Sequence, residues 1–272
     1  MSMQFDNKRF IVTGAASGIG AATATLLKQR GAYVIAFDRR APDASAADDY
    51  IQFDQGDFAS IDAAVRKAPD KIDALVNIAG IPPKADCSPP HLLMVNFYGI
   101  RALTEQLAER LTPGGAILNM SSHAGNAWRE NVGLLKQFLP ARDKDDIDAL
   151  ARRHGVVMDG LDAVSAYPLS KQLLNLWTVQ SFPAMEKAGV RMNAAASAGV
   201  QTDILSDFLT SFGEQSAARI RAIGIAAPSD IASVIAFLVS DQSAWIKSAI
   251  IPVDGGASAM AAANKFGFVA GE

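Results

Sequence analysis

Tyr167 and Lys171 stand four residues apart, a spacing that puts both on one face of a helix. A tyrosine with an ordinary pKa near 10 is a poor base at neutral pH. A neighbouring ammonium favours the phenolate and is expected to lower that pKa. Such a pair could take a proton from a hydroxyl or return it to a carbonyl oxygen. Taken alone, it is more often a half-buried tyrosine with a lysine stem lying along it. A second candidate is the run Thr13-Gly14-Ala15-Ala16-Ser17-Gly18-Ile19-Gly20. Gly14 permits a tight turn, Gly18 lets the backbone approach a pyrophosphate, and Gly20 allows close helix–strand packing. The phosphates would rest on the helix N-terminus around Ser17 and Ile19, where free N–H groups and the dipole favour anions. Asp38 follows 18 residues after Gly20. A carboxylate there accepts both ribose hydroxyls of NAD and repels a 2′-phosphate, so NAD is expected over NADP although Arg39 and Arg40 come next. No Lys-Ser/Thr follows the loop, which argues against a nucleotide triphosphate site.

The elements that must position these groups alternate. Apolar runs at Arg9–Thr13, Tyr33–Phe37, Tyr50–Phe53, Ala74–Asn77, Ala116–Met120, Val190–Ala194 and Ser248–Val253 read as strands. They are apolar throughout, the pattern of parallel strands covered on both faces. Helices are expected at Ala21–Arg30, Ser60–Arg66, Leu92–Arg110, from Ser165 to Gly189, over Asp203–Ile223 and at Ile231–Ser240. The alternation implies an α/β class: a single-domain, doubly wound Rossmann fold over residues 1–272, its seven-stranded parallel sheet flanked by helices. Two segments interrupt the rhythm. Residues 126–163 are long, helix-prone and charged at Arg142-Asp143-Lys144-Asp145-Asp146, and residues 203–225 carry Ile204, Leu205, Phe208, Leu209 and Phe212.

With these motifs in order, the chain resembles the short-chain dehydrogenase/reductase family over about residues 8–256. The glycine spacing, Asn77-Ile78-Ala79-Gly80, Val95-Asn96, Ser121-Ser122, Tyr167-Pro168-Leu169-Ser170-Lys171 and Asp254-Gly255-Gly256 all fall where the family has its signatures. The resemblance implies that Asn96, Ser122, Tyr167 and Lys171 are catalytic. Ser122 would bond the substrate oxygen, and Asn96 would hold a water that links Lys171 to solvent. It further implies NAD contacts at Gly14, Ser17, Gly18, Ile19, Gly20, Asp38, Asp54, Gln55, Asn77, Ala79, Gly80, Tyr167, Lys171 and Thr202. The chain departs from the pattern twice. Ser122 and Tyr167 are 45 positions apart, far more than usual, and Ser197-Ala198 replaces the Pro-Gly after the sixth strand. A subgroup similar to bacterial 3α-hydroxysteroid dehydrogenase/carbonyl reductase and coniferyl-alcohol dehydrogenase carries such an insertion.

Composition narrows the alternatives. The 272 residues hold 25 Lys+Arg against 28 Asp+Glu, a net charge of −3 without a basic run, so no nucleic-acid partner is expected. No apolar run approaches the roughly 20 residues of a membrane helix, and the charged start does not read as a signal peptide. A soluble cytoplasmic protein is the expectation. One cysteine, Cys87, excludes an internal disulfide or a Cys-based zinc site. His91, His123 and His154 lack metal-ligand spacing and read as surface or loop residues. Ala195-Ala196-Ser197-Ala198-Gly199 lacks the first glycine of a hydrolase nucleophile turn. Met192, Trp177 and Phe182 read as core.

The apolar segment at 203–225 would form a lid over the substrate, with Trp128, Leu134, Leu135 and Phe138 as an extra rim. A hydrophobic alcohol or ketone is therefore expected: alicyclic, steroid-like or aromatic. A homodimer or homotetramer is expected from the family. Two other functions stay open: a catalytically weak NAD-binding redox sensor or scaffold, and a dehydratase or epimerase without net cofactor turnover.

Overall fold

A computed structural model describes residues 3–84, 86–142, 144–153 and 162–268. His154, Asp143 and the part of the 126–163 segment that covers residues 154–161 lie outside the described residues. In chain order the first half reads β1 (Arg9–Thr13), α1 (Gly18–Gln29), β2 (Tyr33–Asp38), β3 (Asp49–Gln52), α2 (Phe58–Lys67), β4 (Ile72–Asn77), α3 (Pro89–Leu93) and α4 (Gly99–Leu107). The second half adds β5 (Leu111–Ser122), α5 (Val132–Phe138), α6 (Lys144–Arg153), α7 (Ala163–Gln180), α8 (Phe182–Lys187), β6 (Arg191–Ser197), α9 (Leu205–Ser211), α10 (Gly213–Ile223), α11 (Pro228–Val239), β7 (Ile250–Val253) and α12 (Ala257–Lys265).

Seven parallel strands lie in the order β3-β2-β1-β4-β5-β6-β7. Side chains alternate across this sheet and feed two cores. Ile11, Ile35, Phe37, Leu75 and Ile117 pack with α2, α4 and α7. Val12, Val34, Ala36, Val76 and Leu118 pack with α1 and α11 on the other face. Both faces are buried, which is why the strands are apolar throughout. The strand order reverses between β1 and β4, so the loops after these two strands flank a crevice.

The structure redraws several boundaries. The Pro113-Gly114-Gly115 turn does not precede β5 but lies inside it. Ile72 pairs with Leu111 while Ala74 pairs with Ala116, so the extra residues bulge without ending the ladder. The expected helix Leu92–Arg110 is interrupted by a π turn at Met94–Tyr98. The next long helix is capped by Asp162, whose side chain accepts from the Ser165 amide at 2.8 Å, not by Ser165. That helix stops at Gln180. Phe182 then starts a new short helix and is exposed. The expectation of a core Phe182 fails because the helical phase is lost at Ser181.

The segment between β5 and α7 begins with a 3-10 turn at His123–Arg129 and continues through α5 and α6. Arg101 on α4 anchors it. The guanidinium donates to the Leu139 and Ala141 carbonyls and lies over the Phe97 and Tyr98 rings, 5.7 and 5.4 Å from their centroids. The Tyr98 hydroxyl donates to the Phe138 carbonyl at 2.7 Å. Trp128, Leu135 and Phe138 are therefore buried in the core against α4 and α7, and Leu134 packs at its edge. They do not form the expected substrate rim. Once Arg101 pins the segment to α4, the apolar face of α5 has core to cover.

Candidate active site

Ser122 ends β5, and α7 brings Tyr167 and Lys171 beside it. The Lys171 ammonium donates to the Met120 carbonyl at 2.9 Å and lies 5.7 Å from the centre of the Tyr167 ring. Tyr167 is 7% exposed and Lys171 5%. The Ser122 hydroxyl bonds the Tyr167 phenol and also accepts from the Ala124 amide at 3.2 Å. Burial pushes the Tyr167 pKa up to about 12, against the pull of the Ser122 bond. Burial also drives Lys171 down to about 8. The expected lowering of Tyr167 by Lys171 is thus reversed in this structure. Removing a phenolate from water costs more than the neighbouring groups return.

The glycine loop joins β1 to α1. Gly14 and Gly18 have φ of 71° and 54°. A Cβ on Gly20 would stand 1.9 Å from the Gly14 carbonyl oxygen, so only glycine lets α1 start this close to the strand. Ser17 is the exposed N-cap of α1, and its hydroxyl makes no cap bond. Thr202 lies against the loop, its methyl 3.0 Å from where a Cβ on Gly18 would be. Gly20→Ala is expected to destabilise the fold by about 1–3 kcal/mol, the usual cost of overpacking. Thermal unfolding checks this.

Asp38 reaches back to the same loop. One carboxylate oxygen accepts from the Ala16 amide and the other from the Arg40 amide, each at 3.0 Å. Asp54 accepts from the Gly56 amide at 2.8 Å, and its own amide donates to the Ser60 hydroxyl. The loop after β4 is held by side chains from three directions. The Thr13 hydroxyl accepts from the amides of Ile78 and Ala79, both at 3.0 Å. Ala79 and exposed Gly80 border the crevice.

Three expected site residues have their side chains committed elsewhere. Asn77 is fully buried and donates to Thr104 and Asn119 at 3.1 and 2.9 Å. Its side chain braces β4 against β5 and α4 and does not line the crevice. Asn96 sits in the π turn, and both ends of its amide bind Ile81: Oδ1 accepts from the amide at 2.8 Å and Nδ2 donates to the carbonyl at 2.9 Å. Gln55 is buried, and its Nε2 donates to the Ala79 and Val95 carbonyls.

Above Tyr167 lie two phenylalanines of α9 and the turn that follows it. The Phe208 ring meets the tyrosine edge-on at 4.9 Å between centroids, and Phe212 at 6.0 Å. Leu92, Ala163 and Ala166 complete the wall, with Ile81, Cys87 and Ala124 packed against it. The segment is pinned by an ion pair, Lys84 to Asp207 at 3.0 Å, and by the Ser211 hydroxyl donating to the Pro83 carbonyl at 2.7 Å. Burial, with Asp86 nearby, raises the Cys87 pKa, so this thiol is not activated.

One polar cluster is not visible in the sequence. The His123 Nδ1 lies 3.3 Å from Asp254 Oδ2, and Asn126 and Ser258 close the group. Burial works against the Asp254 charge, yet hydrogen bonds from the Ser258 hydroxyl and amide, His123 and the Gly256 amide hold its pKa below the usual carboxylate value. The signal for it is topological. Ser122, Ser197 and Val253 are in register across β5, β6 and β7, so His123 and Asp254 leave their strands at one level. No group of three or more His, Cys, Asp or Glu among the described residues could hold a metal ion, and no helix among them is long and apolar enough to cross a membrane.

The switch-point crevice with its glycine loop, and the Ser, Tyr and Lys beside it, define a nucleotide-binding oxidoreductase architecture. Residues 8–133 match the short chain dehydrogenase model, and residues 154–258 match a model described as Enoyl-(Acyl carrier protein) reductase. The chain is 38% identical over 259 residues to coniferyl-alcohol dehydrogenase of a Pseudomonas species, covering 93% of this chain and 98% of that one. It is 29% identical to 3-alpha-hydroxysteroid dehydrogenase/carbonyl reductase of Comamonas testosteroni, covering 94% and 98%. The crystal structure of 3-alpha-hydroxysteroid dehydrogenase from Pseudomonas sp. B-0831, complexed with NADH, superposes with a TM-score of 0.80 at 28% identity, covering 94% of this chain and 99% of that one. The chain belongs to the short-chain dehydrogenase family of oxidoreductases.

Proposed function

We propose that this chain is an NAD(H)-dependent alcohol dehydrogenase/carbonyl reductase for hydrophobic alcohols of the alicyclic, steroid-like or aromatic kind. The observation that carries the substrate class is the pair of phenylalanine rings on Tyr167. A polar substrate would have to displace that aromatic wall, whereas an apolar ring replaces one packing contact with another. The names of the two relatives, a coniferyl-alcohol and a hydroxysteroid dehydrogenase, support the same class.

The proposed cofactor fits the residues present. The α1 N-terminus offers amides and a Ser17 hydroxyl that makes no cap bond, and Thr202 closes the loop over Gly18. Each Asp38 oxygen uses one lone pair on a backbone amide, leaving acceptor capacity for ribose hydroxyls and a charge that opposes a 2′-phosphate. When bound, a nicotinamide dinucleotide supplies or accepts the hydride. The chain's own residues handle the proton. With a pKa of about 12, Tyr167 is protonated at neutral pH and donates to the oxygen of a carbonyl substrate. In the alcohol direction it accepts that proton, with the Ser122 hydroxyl holding the oxygen and the Lys171 ammonium favouring the phenolate. Asn96 retains one further donor and one further acceptor site for the expected water. The segment at 203–225 acts as the lid, and 126–163 is an insertion whose stretch around Phe138–Ala141 is held against α4 by Arg101.

The test is an NAD⁺-reduction screen over steroid, terpene, aryl and sugar alcohols, run in parallel with NADP⁺. Turnover of ring alcohols with NAD⁺ is expected. Turnover of small polar sugars alone, or of NADP⁺ in preference, overturns the respective part, and no turnover with tight NADH binding favours a sensor or scaffold. Phe208→Ala is expected to raise KM for an aryl alcohol about tenfold, the value of a lost aromatic pair, with a smaller effect on an aliphatic alcohol. A homodimer or homotetramer belongs to the same proposal, and a monomeric mass by light scattering at micromolar concentration contradicts it.

A further inference from the structure

We propose that Gln55 is a positioning residue that ties the cofactor side of the crevice to the π turn carrying Asn96, and that its side chain does not contact the adenosine. The inference rests on the dehydrogenase reading above.

Gln55 follows β3, on the side of the crevice where an adenine would lie, yet its side chain turns inward. The amide nitrogen donates to the Ala79 carbonyl at 2.9 Å and the Val95 carbonyl at 2.7 Å. Its Oε1 is buried and has no partner among the described residues. The residue therefore uses its donors in full and leaves its acceptor shut off from the crevice. No adenine amine can reach that oxygen in this arrangement.

The two carbonyls belong to the two segments that must be held relative to each other. Ala79 is in the loop after β4, beside Gly14. Val95 is in the π turn, immediately before Asn96. Asn96 in turn binds Ile81 at both ends of its amide, and Ile81 packs on the Tyr167 cluster. Gln55, Asn96 and the loop 78–81 thus form a closed circuit from the glycine loop to the wall of the candidate active site. Gly99 makes room for it: a Cβ there would lie 2.0 Å from the Gln55 carbonyl oxygen and 2.9 Å from its Cγ. A π turn leaves backbone carbonyls outside the usual helical ladder. A side-chain donor fixed on Val95 selects one position for them.

Loss of the Gln55 amide leaves two carbonyls without their side-chain donor and frees the π turn to shift. The consequence falls on the proton path through Asn96 and Lys171 more than on dinucleotide affinity. The experiment compares the full-length protein with Gln55→Met, of similar length without polar atoms. Three quantities are read: NADH affinity by fluorescence, kcat and KM with the best alcohol of the screen, and hydrogen–deuterium exchange of residues 78–81 and 94–98 in the cofactor-free protein. The expected result is faster exchange in both segments, kcat down about tenfold as for one or two buried hydrogen bonds, and NADH affinity within about twofold. If Gln55→Met does not fold, Gln55→Leu carries the same comparison, since it too fills apolar volume and lacks the donor. A tenfold loss of NADH affinity with kcat unchanged makes Gln55 an adenosine ligand and overturns the proposal. A lower melting temperature with unchanged kcat, KM and local exchange overturns it as well. Absence of turnover in the unaltered protein instead defeats the dehydrogenase reading, and the exchange and NADH arms still decide the position of Gln55.

Discussion

Tyr167→Phe is expected to lower turnover of the best alcohol by about 10²–10⁴-fold, the range for loss of a general acid–base group, while NADH affinity and thermal stability stay close to those of the unaltered protein. The ring keeps its packing against Phe208 and Phe212, so only the proton-bearing oxygen is lost. That oxygen is nearly sealed, with the residue 7% exposed. No other phenol belongs to the same apolar cluster, and water has little access, so little compensation is available. Steady-state kinetics with NAD⁺, paired with an NADH titration, measure the split. Equal turnover in the variant would remove Tyr167 from the mechanism, and loss of NADH binding in step with turnover would make it a cofactor contact only.

The second large effect concerns Lys171 and pH. Its pKa in the folded protein is about 8, against an ordinary 10.5, because burial disfavours the ammonium. Between these values the unfolded chain holds a proton that the folded chain has released, so stability rises with pH across that window. The whole difference is on the order of 3 kcal/mol, absent below pH 8 and complete near 10.5. Tyr167 contributes with the opposite sign and later. Its folded pKa of about 12 lies above the ordinary 10, so its stabilising contribution is present below pH 10 and lost as pH rises through 12. In Lys171→Met the first slope should vanish. Urea unfolding at several pH values between 7 and 10 should show the native protein gaining on the variant as pH rises. Parallel pH dependences in the two proteins would show that Lys171 keeps an ordinary pKa. At pH 7 the group is still an ammonium, so the proposed role in favouring the Tyr167 phenolate operates where the burial cost is greatest.

Much of this protein is written in short-range pattern. Alternating apolar runs and glycine stops announce a parallel, doubly wound sheet, since each strand needs only its own residues to show that both faces are covered. The glycine loop is legible for the same reason: Gly14, Gly18 and Gly20 act through the backbone of one strand–helix turn. Tyr167 and Lys171 are legible because four residues of helix fix their common face. Asp38 follows from its place at the end of β2.

What depends on partners far along the chain was decided by the tertiary structure alone. Gln55 meets Val95 across 40 positions, and Asn77 meets Asn119 across 42. Both are themselves among the expected cofactor contacts, and both turn their side chains into the protein instead. Trp128, Leu135 and Phe138 have the composition of a substrate rim, but Arg101 docks their segment on α4 and makes them core. The charge state of the site went the same way. The i, i+4 pairing of Tyr167 and Lys171 predicts a lowered phenol pKa, whereas the burial created by α7, β5 and the two phenylalanines raises it. Sequence neighbours set which groups can meet. Desolvation and long-range hydrogen bonding, which exist only once the layers pack, set what those groups do.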